Sequence, residues 1–257
     1  MFYQSVRQAL RWLIYLLIVF GICRTVFLLS FVSHIGPKPV SILWQCLTHA
    51  LPLDLSTIGY LLILPVASLA MTSFIKNKGI AVLVDMYMMT ITALYVLITI
   101  VEIAVYRELN QKLYYSLFAR VYHPDEIIQF ITPLLLSTSL IAIVSMLMLS
   151  WWLYIKLAKG EPTVRIPFNG KNLIQAIFFT AFSGGLLVLC IRGGWQPIPI
   201  NEGVVCFSTN QVVNDAAINP LWNLGHSYIE TKNLKVSNQY MKLEKAEAAS
   251  IVNKLYS

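Results

Sequence analysis

The amino-acid sequence predicts an all-α membrane protein with five transmembrane helices followed by a short extramembrane linker. Hydrophobic residues make up 57% of the 257 residues and charged residues only 12%, and the mean hydropathy is +0.67. This composition leaves too little polar surface to cover a water-soluble globule of that length. Five apolar windows have at least the roughly 20 residues that a helix needs to cross a bilayer, at about 12–32, 56–75, 80–105, 130–154 and 172–191.

The basic residues predict how these spans are oriented. They fall in short clusters between the apolar windows, which disfavours a nucleic-acid-binding surface despite a net charge of +7. The N-terminal segment and the second and fourth connections are the basic ones, through Arg7, Arg11, Lys76, Lys78, Lys156, Lys159, Arg165 and Lys171. Since basic loops stay in the cytoplasm, we expect a cytoplasmic N-terminus and an extracytoplasmic C-terminus. Residues 1–195 would then form a five-helix domain in a bacterial cytoplasmic membrane, and residues 196–257 an extracytoplasmic linker.

Four charged residues lie in or at the ends of the predicted spans, at the same predicted depth: Arg24, Asp54, Glu102 and Arg192. Ionisable side chains within a membrane are costly, so each requires a reason. One interpretation is a set of structural ion pairs or snorkelling side chains near the interface. The other is a polar pocket open to the outer leaflet, in which Arg24 and Arg192 attract the phosphate of an anionic lipid head group.

The sequence changes character after the fifth window. Gly193 and Gly194 predict a sharp turn that would serve as a hinge between the membrane domain and the linker. The stretch "VVCFS", residues 204–208, is a candidate short strand. Asn219 is a suitable N-cap for a helix that begins at Pro220, and residues 237–256 predict a second helix.

No catalytic motif or metal-ligand spacing is recognisable, so the sequence offers no catalytic residue and no metal ligand. The four cysteines form no CxxC pair, and the histidines are scattered. Inside apolar spans a cysteine is ordinarily a small buried hydrophobe. A disulfide between Cys46 and Cys206 is an alternative if both face an oxidising compartment.

Three stretches carry a resemblance to a known family. They are "LPLDLSTIGYLLILP" at residues 51–65, "EIAVYRELNQKLYYSLFARVYHPDEI" at residues 102–127, and "IRGGWQPIPINEGVVCFSTNQVVNDAAINPLWNL" at residues 191–224. In their order and their five-span frame they resemble the membrane part of the lipoteichoic acid synthase family. Members of that family are membrane-anchored phosphoglycerol transferases of the alkaline phosphatase and sulfatase superfamily.

The resemblance implies that this chain is a membrane anchor and linker. The family's catalytic domain uses a threonine nucleophile and a divalent metal, commonly manganese, and would follow residue 257. No residue here matches its nucleophile or metal ligands, so we expect no cofactor in this chain, and we expect the chain to be a fragment or to work with a sulfatase-like catalytic partner. The expected partners are the bilayer and an anionic glycerophospholipid substrate. Two other readings stay open: a small transporter or channel subunit, and a regulatory or assembly protein for an envelope enzyme.

Overall fold

A computed structural model of the protein describes residues 2–37, 39–72, 78–118, 132–160 and 169–236. Within these ranges the chain is helical and contains no strand. Two 3-10 turns, Val32–His34 and Glu202–Val205, interrupt the order of the α-helices. The α-helices are α1 (Phe2–Ser30), α2 (Pro39–His49), α3 (Leu51–Thr72), α4 (Lys78–Leu109), α5 (Tyr115–Phe118), α6 (Pro133–Leu153), α7 (Gly170–Arg192), α8 (Gln211–Ala217) and α9 (Pro220–Val236).

Five of these helices, α1, α3, α4, α6 and α7, are long and apolar enough to cross a membrane. The chain therefore has the architecture of a multi-pass membrane protein, as the five apolar windows predicted. The helices α1 and α4 contain 29 and 32 residues. At about 1.5 Å per residue they are longer than the roughly 30 Å hydrocarbon core. They continue past the apolar windows because polar side chains at either end can lie among the lipid head groups.

The helix α1 lies at the centre of the bundle, and its buried side chains include Tyr15, Phe20 and Phe27. The helices α3 and α7 form the most extensive helix pair. A Cβ atom placed on Gly59 of α3 would lie 2.9 Å from Cγ1 of Ile191 in α7, so only glycine permits this approach. The helices α6 and α7 expose most of their apolar side chains, as expected of spans that face lipid.

At the end of the bundle where α1 begins, here called the N-terminal end, α6 continues as one π-helical turn, Tyr154–Ala158. Gln8 donates a hydrogen bond to the carbonyl of Ala158 and Arg11 to that of Leu157, each at 2.7 Å. These side chains satisfy carbonyls that the end of a helix leaves unpaired. In the same region Tyr154 donates a hydrogen bond to Asp85 of α4.

The segment that follows α7 folds back onto the opposite end of the bundle, here called the tail end. Buried residues such as Ile200, Val205 and Val213 belong to the same hydrophobic core as the spans. Over the described residues the predicted linker is therefore packed against the membrane helices. The predicted helix at Pro220 is confirmed, with Asn219 accepting hydrogen bonds from the backbone N–H groups of Leu221 and Trp222.

Other expectations for this segment were wrong or are not covered by the structure. The candidate strand at residues 204–208 was wrong, because Glu202–Val205 forms a 3-10 turn whose N-cap is Asn201. The short helix α8, capped by Asn210, was missed. The helix predicted at residues 237–256 lies outside the described residues.

The helix α2 was also missed, because its 11 residues precede the second apolar window. It leads almost directly into α3, since the N–H of Ala50 donates to the carbonyl of Cys46 and the N–H of Asp54 donates to the carbonyl of Ala50. Pro52 lacks a backbone N–H, so the ladder of hydrogen bonds is broken there. The thiol of Cys46 is fully buried beneath α8, at 3.7 Å from the carbonyl oxygen of Val213.

Candidate functional site

The candidate site is a buried polar cluster at the tail end of the bundle, and its first component is an ion pair between α1 and α3. Arg24 and Asp54 meet through two parallel hydrogen bonds, from Nη1 to Oδ2 at 2.7 Å and from Nη2 to Oδ1 at 2.8 Å. Both side chains are 3% exposed. The two-pronged geometry is the strongest form of a carboxylate–guanidinium pair, and it offsets part of the cost of removing two charges from water.

The segment after α7 completes this ion pair. The Nε of Arg24 donates to the carbonyl of Ala216, at the end of α8, at 2.9 Å. The side-chain amide of Asn219 donates to Oδ1 of Asp54 at 2.8 Å, while its own oxygen caps α9. The Arg24–Asp54 pair therefore binds the junction between α8 and α9 to the helices α1 and α3.

A second ion pair, between Glu102 of α4 and Lys112 in the loop after it, lies beside the first. The Nζ of Lys112 is 2.7 Å from Oε1 of Glu102, and both side chains are almost fully buried. The contact is ionic, since Oε1 has no aligned hydrogen bond among the described residues. Lys112 also donates to the carbonyls of Asp215 and Ile218, at 2.9 and 3.3 Å. The hydroxyl of Tyr106 donates to Oδ2 of Asp215 at 2.8 Å.

These contacts place two cations at the C-terminal end of α8. The carbonyls of Asp215, Ala216 and Ile218 receive hydrogen bonds from Arg24 and Lys112. The C-terminal end of a helix carries partial negative charge and unpaired carbonyls, so cations stabilise it. We call Arg24, Asp54, Glu102, Lys112, Asp215 and Asn219 the tail-docking cluster, because together they fasten α8 and the start of α9 to α1, α3 and α4.

A small cavity lies inside the tail-docking cluster, bordered by Arg24, Glu102, Lys112 and Asp215. The space open to the centre of a water molecule is about 10 Å³. A polar cavity of this size is at the lower limit for a single water molecule. It has no room for a phosphate group.

Arg192 is separate from the tail-docking cluster. Its exposed guanidinium donates to the carbonyls of Gln196 and Pro197, at 3.0 to 3.3 Å. None of these contacts is with Arg24, Asp54 or Glu102, because the chain turns at the end of α7 and brings the two carbonyls to the side chain. That the four charges share one depth in the membrane stays a prediction.

The predicted turn at Gly193 and Gly194 is present, with φ angles of +83° and +120°. Their N–H groups bond to the carbonyls of Cys190 and Leu189, which closes the end of α7. A Cβ atom on Gly193 would lie 2.7 Å from Cβ of Ile200, so the turn is packed against the following segment.

No protein-family model, curated protein or solved structure matches the chain. Within the described ranges no group of three or more His, Cys, Asp or Glu side chains is placed to hold a metal ion. The four cysteines, which all lie in these ranges, are free thiols, so the alternative of a Cys46–Cys206 disulfide was wrong.

Sequence reasoning found Arg24, Asp54 and Glu102 but missed three members of the cluster. Lys112, Asp215 and Asn219 lie in polar segments, where such residues are ordinary. Lys112 could have been found from the need of Glu102 for a partner, because a carboxylate inside a membrane requires a nearby cation. Lys112 is the second basic residue after Glu102 in the sequence.

Proposed function

We propose that this chain is the membrane anchor and linker of a phosphoglycerol transferase resembling the lipoteichoic acid synthases, with its tail end on the outer face of a bacterial cytoplasmic membrane. The observation that carries the anchoring role is the tail-docking cluster. Three carbonyls of the segment accept hydrogen bonds from Arg24 and Lys112, and buried ion pairs hold these two cations to α3 and α4, so the segment keeps a fixed orientation to the membrane helices. A catalytic domain or partner held by that segment would face the lipid surface at a constant height.

The identity of the transferred group depends on the resemblance, and the orientation depends on the distribution of lysine and arginine. The geometry favours a structural role for the three buried charges, Arg24, Asp54 and Glu102, over a head-group pocket. Arg24 is fully buried and already engaged by Asp54, and the adjoining cavity is about 10 Å³. A phosphate could reach the guanidinium only if that ion pair separated.

The same geometry argues against the transporter alternative at this site. A substrate path needs charges that meet a water-filled passage. Here each buried charge meets an opposite charge or a carbonyl of the same chain.

The proposal is tested by purifying the protein through an N-terminal tag from the membranes of its own host, together with any fused catalytic domain or bound partner. The preparation is supplied with fluorescent phosphatidylglycerol and Mn²⁺. Transfer of phosphoglycerol breaks the bond between phosphorus and the diacylglycerol oxygen and forms a bond from phosphorus to the oxygen of an acceptor hydroxyl. The hydroxyl proton passes to the diacylglycerol oxygen, so fluorescent diacylglycerol is released. We expect this product with Mn²⁺ and its loss on chelation. The transferase assignment is wrong if a preparation in which the tail is docked releases no diacylglycerol.

A further inference from the structure

A second site lies towards the N-terminal end of the bundle, away from the tail-docking cluster. A groove opens between α4 and α6, with α1 as its floor, and the space open to water-sized centres is about 530 Å³. Sites for small molecules typically occupy about 300–1,000 Å³. The groove is bordered by Tyr15, Met89, Ala93, Leu147, Met148 and Trp151, among others.

The lining of the groove suits a hydrocarbon chain. Most of its surface is apolar, and the sides come from two spans whose apolar residues face outward, including Met148 at 63% exposure and Trp151 at 52%. Two of the buried hydroxyls in the lining, those of Tyr15 and Thr92, are already bonded within the protein. Tyr15 donates to Oγ1 of Thr92 at 3.1 Å, and Thr92 donates to the carbonyl of Met88 at 2.7 Å.

A cation lies one helical turn from the floor of the groove. Arg11 precedes Tyr15 by four residues, so both lie on the same face of α1, with Arg11 nearer the N-terminal end. Its Nε bonds to the carbonyl of Leu157 at 2.7 Å, and its side chain is half-buried. Among the described residues no hydrogen-bond partner engages its two terminal nitrogens. Asp85, the nearby carboxylate on α4, already accepts a hydrogen bond from Tyr154.

We propose that this groove binds one acyl chain of an anionic glycerophospholipid from the surrounding leaflet, with the lipid phosphate at the terminal nitrogens of Arg11. Lipid is the medium that reaches a groove between two membrane spans. Apolar burial alone gives no preference in a membrane, because lipid tails are as apolar as the groove. The preference would come from close packing in the groove together with the charge of Arg11, one helical turn beyond the lining residue Tyr15.

The site is independent of the proposed function. Arg11 and Arg24 are 13 positions apart on α1, which at about 1.5 Å per residue separates them by about 20 Å along the helix. A lipid here would be a structural ligand in the leaflet at the N-terminal end, whereas the proposed transferase acts at the tail end.

The test uses native mass spectrometry of the protein extracted from nanodiscs that contain equal amounts of phosphatidylglycerol and phosphatidylcholine. We expect one tightly held lipid per chain, with phosphatidylglycerol favoured. Ala93→Phe fills the groove and should lower lipid occupancy at least fivefold, whereas Ala181→Phe, on an exposed position of α7, should leave it unchanged. Met148→Trp narrows the groove from its exposed rim and serves if Ala93→Phe fails to fold.

The head group is tested separately. Arg11→Gln should reduce the ratio of bound phosphatidylglycerol to phosphatidylcholine about fivefold, since one basic residue near a membrane surface contributes about that much. Arg192→Gln, at the other end of the bundle, is the matched control. Equal occupancy in the two phenylalanine variants of a folded protein would overturn the groove, and an unchanged lipid ratio in Arg11→Gln would overturn the phosphate contact.

Discussion

Replacing Lys112 with methionine gives the sharpest test of the tail-docking cluster. Methionine retains most of the volume of lysine but leaves Glu102 buried beside an apolar side chain, and it removes two hydrogen bonds to the end of α8. Removing one partner of a buried ion pair typically costs about 3–5 kcal/mol. Each 1.4 kcal/mol or so is a tenfold change in an equilibrium constant, so we expect the fraction of undocked tail to rise by roughly 100-fold or more.

Cys46 reports undocking directly, because its thiol is fully buried beneath α8. The other three cysteines are replaced by alanine or serine, and the rate of maleimide labelling of Cys46 is measured in detergent micelles. Lys112→Met should label far faster than Lys232→Met, a matched change at an exposed position of α9.

A double variant distinguishes ion pairing from simple loss of packing. Changing Glu102 to methionine in the Lys112→Met background removes the uncompensated charge, and apolar replacements of buried ion pairs are often neutral. We therefore expect labelling of the double variant to return most of the way to the wild-type rate. Equal labelling of Lys112→Met and Lys232→Met, or a double variant as open as the single one, would refute the reasoning.

Three further predictions follow from the structure. Asn219→Asp keeps the cap of α9 but sets a second carboxylate against Asp54, so it should destabilise docking by about 2 kcal/mol in a thermal melt, whereas Asn201→Asp, at an exposed cap, should not. Gly193→Ala places a Cβ atom 2.7 Å from Cβ of Ile200 and puts alanine at a φ of +83°, so it should lower the stability in the same melt by about 1–3 kcal/mol. Gly184→Ala, where the space for a Cβ atom is open, should cause no loss of stability. Burial raises the pKa of the Cys46 thiol from its ordinary 9.0 to about 11. Because the thiol ionises at a lower pH when the tail is undocked, docking should weaken as the pH rises from 9 to 11. The rate at which a protease cleaves the tail should therefore increase over this range, and the increase should be absent in Cys46→Ala.

The five spans were predictable because the apolar windows are long and few polar residues interrupt them. Their ends were not, since residues such as Gln8 and Arg11 continue a helix through the head-group region without any apolar signal. The helix α2 lacks the length of a span, and α8 has only seven residues, so neither has a distinctive pattern.

The candidate site was predictable only where a residue conflicted with its surroundings. Arg24, Asp54 and Glu102 stand out because they interrupt or border apolar windows. Lys112 and Asn219 do not, since lysine and asparagine are common in loops. Arg192 stands out equally in the sequence, but it lies at the last turn of α7, where the local backbone supplies its partners.

The placement of the buried charges follows from what apolar packing cannot do. Apolar contacts between α8 and the spans favour burial but have no direction, so α8 could shift by a residue and still bury a similar surface. Arg24 and Lys112 accept only one position, in which the carbonyls of Asp215, Ala216 and Ile218 meet their donors. Because the two cations are attached to different spans, a displacement of either span would break one set of contacts. The cluster thus couples the orientation of the tail to the packing of the membrane helices, as the proposed anchoring role requires.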